Sequence, residues 1–146
     1  KIPGVEITTL NYQLDLSGRE LMVSGKNINL PEEGRTISLK FIPPNFYDAW
    51  LKVEKTSIAL CCVQGSLKLV LFDDRKEMES FGELVELMLG EHQPMMITIP
   101  PRILWGWQTL PGNSATILMV THEGNLPFLH IAPNSDLIPY HWKEKK

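Results

Sequence analysis

The sequence has few cysteines and no long apolar run, and each shortage excludes a class of protein. Its two cysteines, Cys61 and Cys62, are adjacent, so in a strand they point to opposite faces and cannot build a disulfide framework. We interpret both as core residues in a reducing compartment, since no His or Asp lies beside them at metal-ligand spacing. No stretch could span a bilayer and no signal-peptide pattern is present, so we expect a cytoplasmic protein.

Positive charge is also scarce. The 146 residues include 14 Lys and Arg against 17 Asp and Glu, and the formal net charge is -3. A nucleic-acid surface needs clustered basic side chains, so this balance argues against one. We interpret the basic cluster Lys143, Lys145 and Lys146 as a solvated tail. The length predicts one domain over residues 1–146, large enough to bury a core of its own.

What the sequence does contain is a series of short β-prone runs, separated by 11 prolines and 10 glycines. In Thr36–Ile42 the residues Ile37, Leu39 and Phe41 alternate with polar residues, which predicts a half-buried strand. The run Ser57–Val63 is apolar on both faces, which predicts a strand covered on both sides. Many short strands with turn signals between them predict an all-β, double-sheet jelly roll.

Further runs complete the predicted β set. They are Val5–Leu10, Glu20–Val23, Gly82–Leu89, Met95–Ile99, Trp105–Leu110 and Ala115–Thr121. Gly82–Leu89 contains helix-favouring residues, but it is short and flanked by glycines, so we interpret it as a strand. Turns are predicted at Asp15–Gly18 and around Pro31–Gly34.

Residues 63–75 form the predicted central hairpin. Two apolar runs meet at Gln64–Gly65, where a glycine accepts the positive φ of a tight turn. Leu67, Leu69 and Leu71 share one face of the second run. The run ends in Asp73-Asp74-Arg75, and we expect Arg75 to pair with a neighbouring carboxylate such as Asp73.

In order and spacing these motifs resemble the short members of the dTDP-4-dehydrorhamnose 3,5-epimerase family. The motifs are residues 63–75, Phe81-Gly82, Ile99-Pro100-Pro101 and Gly106 with an aromatic neighbour, and they fit without gaps from Trp50 to about Thr121. Val5–Leu10 and the Asp15-x-x-Gly18 turn match more loosely. The resemblance implies a cupin-type jelly-roll barrel, no cofactor, a small sugar or sugar nucleotide as ligand, and a homodimer whose N-terminal strands cross to the partner.

The residues that this family uses for proton transfer are replaced. The resemblance implies a His base held by an Asp, and a Tyr acid on the opposite face of the sugar. The base and a second His of its strand fall on Leu51 and Val53, a later His falls on Trp105, and the Tyr falls on or near Met119. These side chains cannot give or take a proton at neutral pH, so we assign no catalytic residue. Leu51, Val53 and Trp105 also occupy the histidine positions of metal-binding cupins, so no metal is expected.

The cations that the resemblance assigns to phosphate binding are missing as well. Their positions fall on Ser17, Asp48 and Ile58. Asp48 would repel a pyrophosphate, and the three replacements remove most of the charge-assisted hydrogen bonds that such a ligand needs.

Aromatic and apolar side chains take the place of these polar groups. Trp105 and Trp107 are two positions apart, so we expect them to lie on the same face of their strand. Of the four histidines, His122 follows a strand that should border the pocket, beside Glu123, and the others lie scattered along the chain. The candidate ligand-binding residues are Trp50, Leu51, Val53, Trp105, Trp107, Met119 and His122.

Three interpretations of these replacements remain open. The side chains fill the former cavity as core, or they form an apolar pocket that stacks a ring and orients it through the indole N–H groups, or other residues catalyse. We therefore predict an epimerase-like cupin without epimerase activity, with a binding or assembly role linked to sugar-nucleotide or cell-surface polysaccharide metabolism. The alternative is an active sugar-nucleotide epimerase or isomerase that uses other residues.

Overall fold

The structure is a computed structural model that describes residues 2–24, 35–122 and 128–142. These residues form strands and no helix, which confirms the all-β prediction. The strands are β1 (Glu6–Thr9), β2 (Tyr12–Asp15), β3 (Gly18–Leu21), β4 (Thr36–Ile42), β5 (Tyr47–Lys52), β6 (Ile58–Asp73), β7 (Leu84–Gly90), β8 (Met95–Ile99), β9 (Ile103–Thr109), β10 (Ala115–Thr121) and β11 (Leu129–His130). The predicted turn at Pro31–Gly34, the tail lysines 143, 145 and 146, and Glu123 lie outside the described residues.

Strand β6 connects the two layers of the fold. Its first half pairs with β8 and β10, and its second half pairs with β7 and β9. The first layer therefore has the order β1-β8-β6-β10-β4, and the second has the order β7-β6-β9-β5-β11. The hairpin predicted at Gln64–Gly65 is wrong, because residues 58–73 form one continuous strand.

Gly65 marks the point where β6 passes from one layer to the other. Its φ is +76°, and Glu91 holds it from both sides. The N–H of Gly65 donates to Oε1 of Glu91 at 2.7 Å, and its carbonyl accepts from the Glu91 N–H at 3.0 Å. The left-handed conformation was predicted correctly, but it bends a strand instead of closing a turn.

The main core lies between the two layers. It contains the buried members of β6, β8 and β9, among them Leu69, Ile97 and Trp107. A second apolar cluster covers the outer face of the first layer. Cys62 belongs to the main core and Cys61 to the outer cluster, so the adjacent free thiols face opposite sides as predicted.

The apolar side of β4 faces away from the main core. The predicted strand Thr36–Ile42 is confirmed, but Ile37, Leu39 and Phe41 are 67%, 53% and 72% exposed, so the predicted burial of its apolar face is wrong for the single chain. Register explains the difference, because Leu39 lies opposite Leu118 and Ile37 opposite Val120, both of which belong to the outer cluster. This side of β4 thus extends the outer apolar face, and β4 pairs with β10 alone among the described strands.

The remaining strands agree with the prediction to different degrees. Gly82–Leu89 was correctly interpreted as a strand, since β7 covers residues 84–90. The run Glu20–Val23 corresponds to β3, but its hairpin partner β2 was not predicted. β1 pairs antiparallel with β8 of the same chain. No described segment forms a helix of the length and apolarity needed to cross a membrane.

An ion pair closes the end of β6. Arg75 donates from Nε and Nη2 to the two carboxylate oxygens of Asp73, both at 2.9 Å, which confirms the predicted pairing. Ser80 donates to the same carboxylate at 2.5 Å, and Arg75 also reaches the carbonyl of Pro3 at 2.8 Å. The pair therefore ties the N-terminal segment to the end of the central strand.

Candidate functional site

Strand register brings the predicted site positions together. Met119 pairs with Leu60, whereas Trp105 pairs with both Leu71 and Leu51. The positions that the resemblance assigns to the base and the acid therefore both belong to the main core, since Met119 is a member of its cluster and Leu51 packs against it.

Apolar side chains fill this part of the core. Trp105 and Trp107 are both 1% exposed and both belong to the main cluster, which confirms their shared face. Val53 and Met119 belong to the same cluster, and Leu51 packs against it. The ring of Phe128 meets Trp105 edge-on, with 5.7 Å between the ring centroids. This packing favours the core-filling interpretation over an open barrel.

Some buried polar atoms in this region are unpaired. The indole N–H groups of Trp105 and Trp107 have no hydrogen-bond partner among the described residues. The same holds for Thr56 Oγ1 and for His122 Nδ1, which lies directly after β10. An unpaired buried donor costs about 1–3 kcal/mol. The two indole N–H groups would therefore gain from an acceptor oxygen of a water or a ligand.

Trp50 lies apart from the other candidates. It is fully buried on the outer side of the second layer, where its ring centroid is 5.3 Å from that of Trp142 and 6.0 Å from that of Tyr140. Burial, followed by the Glu86 carboxylate that accepts from its hydroxyl at 2.6 Å, raises the pKa of Tyr140. This cluster anchors the C-terminal segment and is separate from the core around Trp105.

The three positions that the resemblance assigns to phosphate-binding cations hold residues that make other contacts. Ser17 lies in the β2–β3 turn, where its hydroxyl and its backbone N–H both donate to Asp15. Ile58 is buried in the main core. Asp48 lies on β5 and faces His130, with 3.1 Å between Oδ1 and Nε2. The described positions thus supply a carboxylate–imidazole pair where the resemblance implies cations.

The Asp48–His130 pair lines a cleft of about 450 Å³ beside β5. Tyr47, Asp48 and Ala49 form one wall and residues 130–133 form the other. Reciprocal backbone hydrogen bonds between Trp50 and Ile131, 2.8 and 2.9 Å long, hold the walls together. Sequence reasoning did not single out His130, because β11 has only two residues and the pair joins positions 82 apart.

Ionisable groups buried in the described residues do not form a proton-transfer site. The buried charged side chains are Asp73 and Arg75, which bind each other. Burial raises the pKa of the Cys61 and Cys62 thiols to about 11, so both are neutral at pH 7. Within the described ranges no group of three or more His, Cys, Asp and Glu side chains is placed to hold a metal ion.

Comparison with known sequences gives a partial match. No protein-family model matches the chain. The probable low-salt glycan biosynthesis epimerase Agl13 of Haloferax volcanii is 28% identical over 79 residues, which is 54% of this chain and 49% of that protein. The match spans about half the length of this curated relative.

Solved structures of sugar-nucleotide epimerases match over most of the chain. A dTDP sugar isomerase from Desulfovibrio desulfuricans aligns with a TM-score of 0.87 at 17% identity, covering 97% of this chain and 92% of that one. The 3,5-epimerase RmlC of Legionella pneumophila, solved with dTDP-4-keto-L-rhamnose, aligns with a TM-score of 0.83 at 15% identity, covering 100% and 82%. The dTDP-4-dehydrorhamnose 3,5-epimerase of Sulfolobus tokodaii gives 0.70 at 20% identity, covering 84% and 73%. The chain therefore has the all-β, RmlC-like cupin jelly-roll fold predicted from its motifs.

Proposed function

We propose that this chain uses the sugar-nucleotide epimerase fold without its acid–base chemistry, as a binding or assembly protein linked to sugar-nucleotide or cell-surface polysaccharide metabolism. One observation carries the proposal. The positions assigned to the base and the acid, Leu51 and Met119, both lie in the apolar main core that contains Trp105, and Leu51 is the register partner of Trp105. Epimerisation requires a proton acceptor within hydrogen-bond reach of the substrate carbon acid, and none of these side chains is one.

The phosphate-binding positions support the same proposal. Ser17, Asp48 and Ile58 offer no cation, and the nearby Lys52 already forms ion pairs with Asp74 at 3.1 Å and Glu54 at 3.3 Å. A nucleoside diphosphate would thus meet a carboxylate where charge-assisted donors are needed. A cytoplasmic location is part of the proposal, and the free buried thiols at positions 61 and 62 support it, since they fit a reducing compartment.

Solvent isotope exchange tests the loss of epimerase activity. The full chain is incubated in deuterium oxide with a dTDP-4-keto-6-deoxy sugar, and mass spectrometry follows deuterium incorporation beside the ketone. We expect no incorporation above the buffer rate, whereas an active 3,5-epimerase assayed in parallel exchanges its substrate. Incorporation that scales with the concentration of this chain would refute the proposal.

A homodimer is part of the proposal. The outer face of the first layer exposes Ile37, Leu39 and Phe41, and this apolar strip continues into the outer cluster. An exposed apolar edge strand is a liability unless something covers it. A second copy related by a two-fold axis would cover this face with the same face of its own.

A second candidate function is supported by the Asp48–His130 pair. A carboxylate that accepts from one imidazole nitrogen leaves the other nitrogen able to take a proton, which is the arrangement of an oriented general base. Under this alternative the chain is a sugar-nucleotide epimerase or isomerase that uses residues outside the usual positions. If isotope exchange is observed, His130→Asn should abolish it, whereas exchange that persists in this variant would point to a different base.

A further inference from the structure

The cleft beside β5 is open to solvent and has the volume of a small-molecule site. Its volume of about 450 Å³ falls within the range of ligand pockets, roughly 300–1,000 Å³. It lies at the edge of the second layer, between Tyr47–Ala49 on β5 and residues 130–133. The apolar filling around Trp105 does not reach it, so a ligand would enter without displacing the core.

The polar groups in the cleft have unused hydrogen-bonding capacity. Asp48 uses Oδ1 to face His130 Nε2, and no described residue bonds to its second oxygen, Oδ2. The other imidazole nitrogen, His130 Nδ1, likewise has no partner among the described residues. A carboxylate oxygen accepts from a hydroxyl, and an imidazole nitrogen either donates to a hydroxyl or accepts from it. Two neighbouring hydroxyl groups on one ring match this pair.

The charge of the cleft selects against anions. Among the described residues, those that line the cleft include one carboxylate and one imidazole and no Lys or Arg. Lys52, on the same strand, is held by Asp74 and Glu54. A phosphate placed beside Asp48 would be repelled without a compensating cation. An uncharged ligand would not be repelled in this way.

The walls of the cleft are fixed before any ligand binds. The two backbone hydrogen bonds between Trp50 and Ile131 do not depend on the Asp48 or His130 side chains. Tyr47 packs on Trp142, with 5.7 Å between the ring centroids. A site held in this way loses little conformational entropy on binding.

We infer that this cleft binds an uncharged, hydroxyl-rich ring such as a saccharide, with Asp48 and His130 bonding to neighbouring hydroxyls. This inference rests on the proposed binding function and deepens it, because it names the ligand class and locates the ligand outside the barrel core. A small, open site of this kind gives an affinity of about millimolar.

Amide correlation NMR spectra of the full chain test the inference. L-rhamnose and D-glucose serve as neutral probes, and dTDP and inorganic pyrophosphate serve as anionic probes. We expect the neutral sugars to shift the amide signals of residues 47–49 and 130–133. Asp48→Asn should weaken this binding about tenfold, since a charged acceptor is lost. The matched control Glu20→Gln, an exposed carboxylate on β3, should bind as the wild type does.

A second variant tests the inference independently, in case Asp48→Asn loses binding because its structure is disturbed. Ala132→Trp fills the cleft from an exposed position and leaves the polar pair intact, so it should abolish the shifts with no loss of thermal stability. Anion-only binding in the cleft would overturn the inference, and so would the absence of shifts at tens of millimolar sugar. Sugar-induced shifts confined to the Trp105 and Trp107 indole signals would show that the ligand binds in the core. This result would overturn the inference about the cleft but not the proposed binding function. The proposed function fails separately, through deuterium exchange.

Discussion

Gly65 and Ser114 touch through their backbones at the bend of β6. A Cβ atom at position 65 would overlap the carbonyl oxygen of Ser114, and it would stand 3.1 Å from the Cα of Ala115, the register partner of Gly65. Strand β10 therefore packs against β6 at a distance that only glycine permits. Both the positive φ and the missing side chain are required at this one position.

Gly65→Ala should destabilise the fold more than a change of backbone conformation alone explains. Gly112 has nearly the same φ, +77° against +76°, but open space where its Cβ would be. We expect Gly112→Ala to cost about 1–2 kcal/mol through strain, and Gly65→Ala to cost about 3 kcal/mol or more because a clash is added. Urea unfolding of both variants measures the difference. Equal costs would show that β10 relaxes away from the bend.

Stability should fall in acid through Asp73. Burial by itself would raise the pKa of Asp73, but hydrogen bonds from Arg75 and Ser80 outweigh it and hold that pKa below its usual range. The stabilisation is therefore complete above the unfolded-state pKa of about 3.9 and is lost as pH falls through the lower folded-state value. Thermal unfolding should show a flat midpoint near neutral pH and a decline below about pH 4.

Asp73→Asn isolates this contribution. It leaves Arg75 buried without its counter-charge, so we expect a loss of about 3–5 kcal/mol at neutral pH and a shallower decline in acid. Asp136→Asn, at an exposed carboxylate, serves as the control and should change neither. An acid profile that is identical in wild type and Asp73→Asn would contradict this assignment.

Trp105 should behave as a core residue. Its side chain is buried in the main cluster, so Trp105→Ala should cost about 3–5 kcal/mol through lost contacts and an unfilled cavity. Phe128 packs on the same ring but is 40% exposed, so Phe128→Ala should lower the free energy of unfolding by only about 1 kcal/mol. Denaturant titrations compare the two variants. Near-native stability of Trp105→Ala would favour a preformed pocket at this position.

The two thiols should resist modification in the native state. Burial raises the pKa of Cys61 and Cys62 to about 11, and the thiolate is the reactive species. A disulfide reagent at pH 8 should therefore label neither thiol in the folded protein and both after unfolding in denaturant. Rapid labelling of the native chain would show that one layer opens readily.

The apolar strip on β4 should control self-association. Leu39→Lys places a charge in the middle of the exposed strip and should convert the proposed dimer to a monomer in analytical ultracentrifugation. Leu137→Lys changes an equally apolar and more exposed leucine, at 78% exposure, outside the strip. It should leave the dimer intact. A wild-type chain that is monomeric at all concentrations would remove the proposed interface.

The sequence alone determined most of the strands, and it determined which residues of a strand share a face. Period-two alternation places Trp105 and Trp107 on one side, and adjacency places Cys61 and Cys62 on opposite sides, whatever the partners of those strands are. The series of short strands predicted a jelly roll, and the family resemblance implied the cupin type that the solved structures share. These features are local or depend only on the order of residues along the chain, so they can be inferred from the sequence.

Only the tertiary structure decided which face of each strand meets the core and which distant residues meet each other. The alternation in β4 is the same whether Leu39 points inward or outward, and pairing with Leu118 turned it outward. A positive φ at Gly65 suits a turn or a bend, and the close approach of β10 selected the bend. Asp48 and His130 meet only because β11 joins the edge of β5. Register between strands is set by packing over the whole domain, and no local pattern encodes it.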